Sequence, residues 1–426
     1  MNKGKSIKKL FALLLPLLLL TGCSGIASRN NILNLLSAPK LSERESRIIA
    51  SLNEYAGQEV RLKYPKKGDN LSPVQIVDLD GDGRDEAVVM YSLPSSGTVA
   101  RIALMKNTED GWTLLQDMEG YGSEIYRVSF EHLGKGPEKQ ILVGYTFSDD
   151  SEILLSVYFL SEENETELHT NPCQEYVVHD VTGDGISDIV LAGINAGNQR
   201  TQLKLFSTHY NDYLTNLVSR TIDVRNIDVT NIAFSACDRT EKEVILVDYK
   251  DRYHRVYTEA IHYDDFEMTT VLPPDVVQKI WYFNYELNSR DVDGDGYLET
   301  PTIIDDGTSY SHNLKQMEWT CFLKEAPQRV YYGVCEAESG TFFPLPDEWL
   351  NHITLANGDR EGVWQVLQTS DGQVLVQFEL ISAVGEEDGE NTVTVSKGTV
   401  QVKITFHEDV SSLQREYIST GLMYLK

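Results

Sequence analysis

The sequence predicts a mainly β protein: a β-propeller of four-stranded blades, five repeats of which are visible, followed by a small C-terminal α+β domain. Two observations carry the prediction. A unit of strand, loop and strand recurs, and its second strand opens at near-even intervals, on Glu86, Gln140, Asp188, Glu243 and Glu299. A period of roughly 50 in a strand-rich chain marks a propeller or a related repeat array. Each unit also has room for four strands, the content of one blade.

The first 22 of the 426 residues stand apart. Lys3, Lys5, Lys8 and Lys9 make a positive start, and Leu10 to Leu20 is an apolar run broken by Pro16. The run falls short of the ~20 apolar residues a bilayer span needs, so residues 1–22 read as an export signal. Leu20-Thr21-Gly22-Cys23 closes it and resembles the bacterial lipobox. That resemblance implies cleavage before Cys23, a lipidated (palmitate-bearing) Cys23, and anchoring on the extracytoplasmic face of the cell membrane. Several acyl chains on one residue hold stably where one would not. Residues 23–41 are polar and serve as a tether. Ser42-Glu43-Arg44-Glu45 is a capping box, and Ile48, Ile49, Leu52, Tyr55 and Ala56 follow at helical spacing up to Gly57. Residues 42–72 therefore hold a short helix and a lead-in strand.

The repeats fill 73–338. In the first, strands are expected at 74–79, 86–92, 99–106 and 112–118; in the third, at 175–180, 188–194, 201–208 and 217–224. The second and fourth copies keep the strands but replace the acidic loop by Gly134 to Lys139 and by Cys237 to Lys242. From 339 the pattern changes. Strands at 363–368 and 373–381 flank the turn Ser370-Asp371-Gly372, a hairpin signal. An acidic loop at Gly385 to Asn391, strands at 392–397 and 399–406, and a closing helix over 410–424 complete the C-terminal domain, 339–426.

Three loops carry the chemistry. Asp78, Asp80, Asp82 and Glu86 occupy positions 1, 3, 5 and 9 of a tight turn; so do Asp291, Asp293, Asp295 and Glu299, and in the middle copy Asp180, Thr182, Asp184 and Asp188. Alternate carboxylates on a turning backbone converge. Ca2+ takes six to eight hard oxygens at roughly 2.3–2.6 Å, which such a loop supplies with a backbone carbonyl from position 7 (Arg84, Ile186 or Tyr297) and water. Glycines at positions 4 and 6 permit the turn. An EF-hand begins the same way but needs an acid at position 12 between helices. Here position 12 is Val89, Leu191 or Thr302 and the flanks are strands.

The motif D-x-D-G-D-G-x-x-[DE] between two strands resembles the FG-GAP or VCBS repeat of integrin-like propellers. The resemblance covers the whole repeat stretch, 73–338, and implies up to three structural Ca2+ sites. The layout also resembles FG-GAP/VCBS-repeat lipoproteins of Clostridia-like bacteria, which implies a source class and no activity.

The chain has 37 Lys+Arg against 65 Asp+Glu, a formal charge of −28, so a nucleic acid partner is not expected. No Cys/His cluster has zinc spacing; Cys321 and Cys335, on the arms of a hairpin expected around Ala326-Pro327-Gln328, are the candidate disulfide. The nine histidines are scattered, and no H-E-x-x-H, G-x-S-x-G or phosphate loop is present. No catalytic residue is singled out. The expected function is a calcium-stabilised surface module that binds an envelope protein or glycan. The alternative is an envelope enzyme with its site in the propeller channel or the C-terminal domain.

Overall fold

The computed structural model of the chain describes residues 41–425 except 96, 148–151, 160–166, 196, 199, 210–212, 226, 237–242, 252–255, 272–286, 305–313, 324–325, 382–388 and 398–399. The expected export signal, Cys23, the expected tether up to residue 40 and the Cys237 to Lys242 loop lie outside the described residues. Among the described residues the fold is mainly β, with two α-helices and six antiparallel sheets, none closed into a barrel. No helix among them is long and apolar enough to cross a membrane.

Helix α1 (Glu43–Ala56) begins where the capping box places it. Ser42 accepts the Glu45 amide proton, the Glu45 carboxylate accepts that of Ser42, and Gly57 ends the helix at φ 64°. The first sheet holds β1 (Arg61–Leu62), β2 (Val74–Val77), β3 (Glu86–Ser92), β4 (Arg101–Thr108) and β5 (Gly111–Glu119). Every residue of β3 is buried, because both faces of the strand are covered. Ala87, Val89 and Tyr91 meet Ile48 and Leu52 of α1, whereas Val88 and Met90 meet the second sheet. The period of two along a strand thus makes one apolar run serve two cores.

The same rule orders the next sheets. The second is β6 (Glu124–Glu131), β7 (Gln140–Thr146), β8 (Ile153–Phe159) and β9 (Glu167–Cys173); the third is β10 (Glu175–His179), β11 (Asp188–Asn195), β12 (Arg200–Ser207) and β13 (Thr215–Arg225). On β7, Ile141, Val143 and Tyr145 face the first sheet and Leu142 the third. On β11, Ile189 and Leu191 face the second sheet, and Val190 and Ala192 the fourth. The fourth sheet is β14 (Ile227–Ala236), β15 (Glu243–Asp251), β16 (Val256–Asp264) and β17 (Glu267–Thr270). Ile245 and Val247 of β15 face back to the third sheet, and Val244 and Leu246 forward to Phe322. The second, third and fourth sheets are therefore each packed between the sheets before and after them in sequence.

The fifth sheet takes β18 (Thr300–Ile303), β19 (Leu314–Leu323), β20 (Ala326–Glu336) and β21 (Thr341–Pro344), and the sixth takes β22 (Ile353–Asn357), β23 (Val363–Gln368), β24 (Val374–Leu380), β25 (Thr392–Lys397) and β26 (Val400–Phe406). Helix α2 (Ser412–Thr420) is shorter than expected, and the residues after it form β27 (Met423–Tyr424), which pairs with β21. The expected border at 338/339 thus runs through one sheet, and Tyr332, Val334 and Phe343 share a core with Trp364, Phe378 and Ile404 beyond it.

One expectation is corrected. The β19–β20 hairpin closes between Leu323 and Ala326, earlier than the Pro327 signal suggested, and Ala326 to Gln328 lie in the strand. Cys321 stands opposite Gln328 and Cys335 opposite Lys315, six rungs apart, about 20 Å at the strand rise. Both cysteines are buried and neither is in a disulfide, so the expected Cys321–Cys335 bridge is absent.

Candidate metal centres

The three acidic loops adopt one geometry. At position 1 a carboxylate accepts the amide protons of positions 4 and 6: Gly81 and Gly83 to Asp78 at 2.8 and 3.0 Å, Gly183 and Gly185 to Asp180 at 2.8 Å each, and Gly294 and Gly296 to Asp291 at 2.6 and 3.1 Å. All six glycines have φ between 72° and 90°, the left-handed region in which a side chain is strained. At position 5, Asp82, Asp184 and Asp295 accept from the amides of Arg84, Ile186 and Tyr297. Arg84, Ile186 and Tyr297 are thereby fixed through their backbone.

Position 9 is the informative one. One oxygen of Glu86 accepts from Leu79 N–H, one of Asp188 from Val181 and Thr182, and one of Glu299 from Val292. The other oxygen of each is buried with no hydrogen-bond partner, and the Thr182 hydroxyl joins them. The three acids are at most 2% exposed. A buried carboxylate oxygen without a donor is costly, and its recurrence at one loop position in three loops fits a cation-binding role. Asp78, Asp80 and Glu86 each bring an oxygen within 4.8 Å of the others, as do Asp291, Asp293 and Asp295. The middle loop, with Thr182 in place of an acid, holds no such trio. The residues fit a hard divalent ion by donor type.

Electrostatics differ between loops. Burial pushes the Glu86 and Asp188 carboxyls above their ordinary values. Glu299 is pushed up to about 7 by burial and then by the charges of Asp293, Asp295 and Asp291. Asp293 rises too, from burial and Asp295. The first loop carries its own cation: Lys106 Nζ lies 2.8 Å from Asp80, 3.6 Å from Asp82 and 3.8 Å from Glu86. Burial pushes Asp80 upward, but Lys106 and the Asp82 amide outweigh it and hold that carboxyl below its ordinary value. In the middle loop His209 Nδ1 meets Asp184 at 2.5 Å. Lys106 and His209 were not singled out in the sequence, because only strand register brings them to the loops.

The loops also touch the neighbouring repeats. Lys139 N–H donates to Leu79 O at 2.8 Å, Ser187 N–H to His132 O at 3.0 Å, and Leu298 N–H to Ser235 Oγ at 2.9 Å. His179 Nε2 contacts Glu243, and a groove beside the middle loop is lined by Asp180, Thr182, Phe234, Glu243, Tyr263 and Asp264. At the first contact a Cβ on Gly81 would stand 2.6 Å from Pro137 Cβ, whereas one on Gly83 would meet nothing within 4 Å. Both alanine variants incur left-handed strain of about 1 kcal/mol, but Gly81→Ala must also displace Pro137. Urea unfolding is expected to show Gly81→Ala as the more damaging by at least ~1 kcal/mol. Equal losses would mean that loop and Pro137 are not packed together.

Comparison with known proteins adds little. No protein-family model matches the chain, and no curated protein matches it. Among solved structures, a Bacteroides uniformis protein provisionally described as a 6-phosphogluconolactonase is similar at 13% identity, over 70% of this chain and 82% of that one, with a TM-score of 0.30. A likeness that weak carries no argument about fold or activity.

Proposed function

We propose that the chain is a lipid-anchored, extracytoplasmic lipoprotein of the FG-GAP/VCBS kind, whose calcium-stabilised, propeller-like body is a binding and assembly module. The observation that carries the metal part is the repeated, buried, donorless oxygen at position 9 of three loops. Calcium there would stiffen the loops and give them six to eight oxygen ligands. The sheets act as blades of an open array. Support comes from their face-to-face packing in chain order and from α1, which lies where a closing blade would have to sit. Arg44 of α1 lies 2.9 Å from Asp85 of the first loop, an exposed ion pair that links helix and loop only weakly.

The partner side rests on the groove between the third and fourth sheets. Its acids and its two aromatics, Phe234 and Tyr263, suit a basic peptide or a sugar face of an envelope partner. The test is affinity capture from an envelope extract with and without a calcium chelator, repeated with Tyr263→Ala. A partner that is retained with calcium, released by chelation and lost with the variant is expected. The same retained proteins under all three conditions would sink the proposal.

A further inference from the structure

We infer that Lys106 is a built-in counter-ion that competes with calcium for the first loop, so that the three loops fill unequally and the third fills most tightly. The inference rests on the metal reading proposed above and deepens it.

The strand register makes the case. Lys106 is the cross-strand partner of Glu86. Ile189 pairs with Phe206, so one rung further Ser207 faces Asp188. Thr300 pairs with Thr320, so one rung further Cys321 faces Glu299. One structural position thus holds an ammonium in the first loop, a hydroxyl in the second and a thiol in the third. Cross-strand partners project from the same face of a sheet, which aims Lys106 at the loop that Glu86 closes.

The ammonium reaches three of the four carboxylates, including the Glu86 oxygen that has no hydrogen-bond donor. Calcium needs those same oxygens at roughly 2.3–2.6 Å, so ion and ammonium cannot share them. Filling the first loop requires the Lys106 head to leave, and the departing charge still repels the ion from nearby. The middle loop has one acid fewer and an imidazole on Asp184. In the third loop, none of Asp291, Asp293, Asp295 and Glu299 makes an ion pair with a described residue, so no resident cation competes for their oxygens there. Affinity in such loops follows ligand charge and rigidity, which ranks the third loop first.

Tyr297 gives that loop its own signal. It lies in the ligand segment, where the other loops have Arg84 and Ile186, so it can sensitise terbium luminescence there. The experiment titrates the metal-stripped full chain with calcium by calorimetry, and with terbium by luminescence. It compares the unaltered protein with Lys106→Met, Lys106→Arg and Glu299→Gln. Glu299→Gln is expected to remove the tightest calcium site and the terbium signal. Lys106→Met is expected to tighten one weaker site by about tenfold and leave the terbium signal unchanged. Lys106→Arg, which keeps the charge, is expected to behave as the unaltered protein. If calcium binds and Glu299→Gln weakens it, but Lys106→Met matches the unaltered protein, the counter-ion inference is overturned and the metal reading stands. If the unaltered protein binds no calcium, both fall.

Discussion

Phe343→Ala should cost about 3–5 kcal/mol. The ring is fully buried on β21, and its centroid lies 4.0 Å from that of Phe378 and 6.3 Å from that of Trp364. Those two partners belong to β24 and β23, so Phe343 is the point at which the fifth and sixth sheets share one core. Truncation removes transfer energy and leaves a cavity that two rigid sheets cannot close. Phe343→Leu keeps most of the volume and should lose roughly half as much or less. Urea denaturation followed by tryptophan fluorescence reads both. A loss below about 1 kcal/mol for the alanine variant would mean that the two sheets are stable apart.

Calcium should raise the melting temperature by several degrees, and by more in mild alkali than in mild acid. A site at a hundredfold excess of free ion over its dissociation constant contributes about 2.7 kcal/mol. The pH dependence follows from the position 9 acids. Glu299 is pushed up to about 7, above the ordinary 4.5 of an unfolded glutamate, and Glu86 and Asp188 move in the same direction. Between those values the folded, metal-free protein holds a proton that the unfolded chain has released. The Glu299 contribution is therefore fully present below the unfolded value and is lost as pH rises through the folded one. The metal-free protein should melt higher near pH ~5 than near pH ~8, so far as these groups decide. Calcium binds the carboxylate form and removes the penalty, so its stabilising effect should grow across the same window. Scanning calorimetry of stripped protein, with and without added calcium at the two pH values, tests this. A calcium effect that is zero, or larger in acid, contradicts the assignment of Glu299 as a ligand.

The parts of this fold that were legible in the sequence are local. The strands at 86–92, 363–368 and 392–397 begin and end where expected, because glycine loops, turn residues and apolar runs mark them close at hand. The capping box at Ser42 and the loop glycines are read the same way. What was missed depends on register. The Cys321–Cys335 pairing looked reasonable from spacing, but a long hairpin that closes before Ala326 keeps the thiols apart. Lys106 is an ordinary strand-end lysine until β3 and β4 pair. The short β27 has no pattern of its own, and only the exposed edge of β21 makes it a strand. In the loops, residue type and spacing gave the acids, while the donorless oxygens at position 9 needed coordinates.

The pairing of β27 with β21 has a consequence for the order in which the molecule can be completed. Each of the first four sheets is drawn from consecutive strands and is whole as soon as its last strand has been made. The fifth waits for Met423 and Tyr424 until the whole of the sixth, threaded between its penultimate and final strands, has emerged. Leu425 then ties to Gly340 at 2.7 Å and to Arg290, the residue before the third acidic loop, at 2.9 Å. The strand that follows the sixth sheet thus closes the fifth and fastens it to the segment that leads into the third acidic loop.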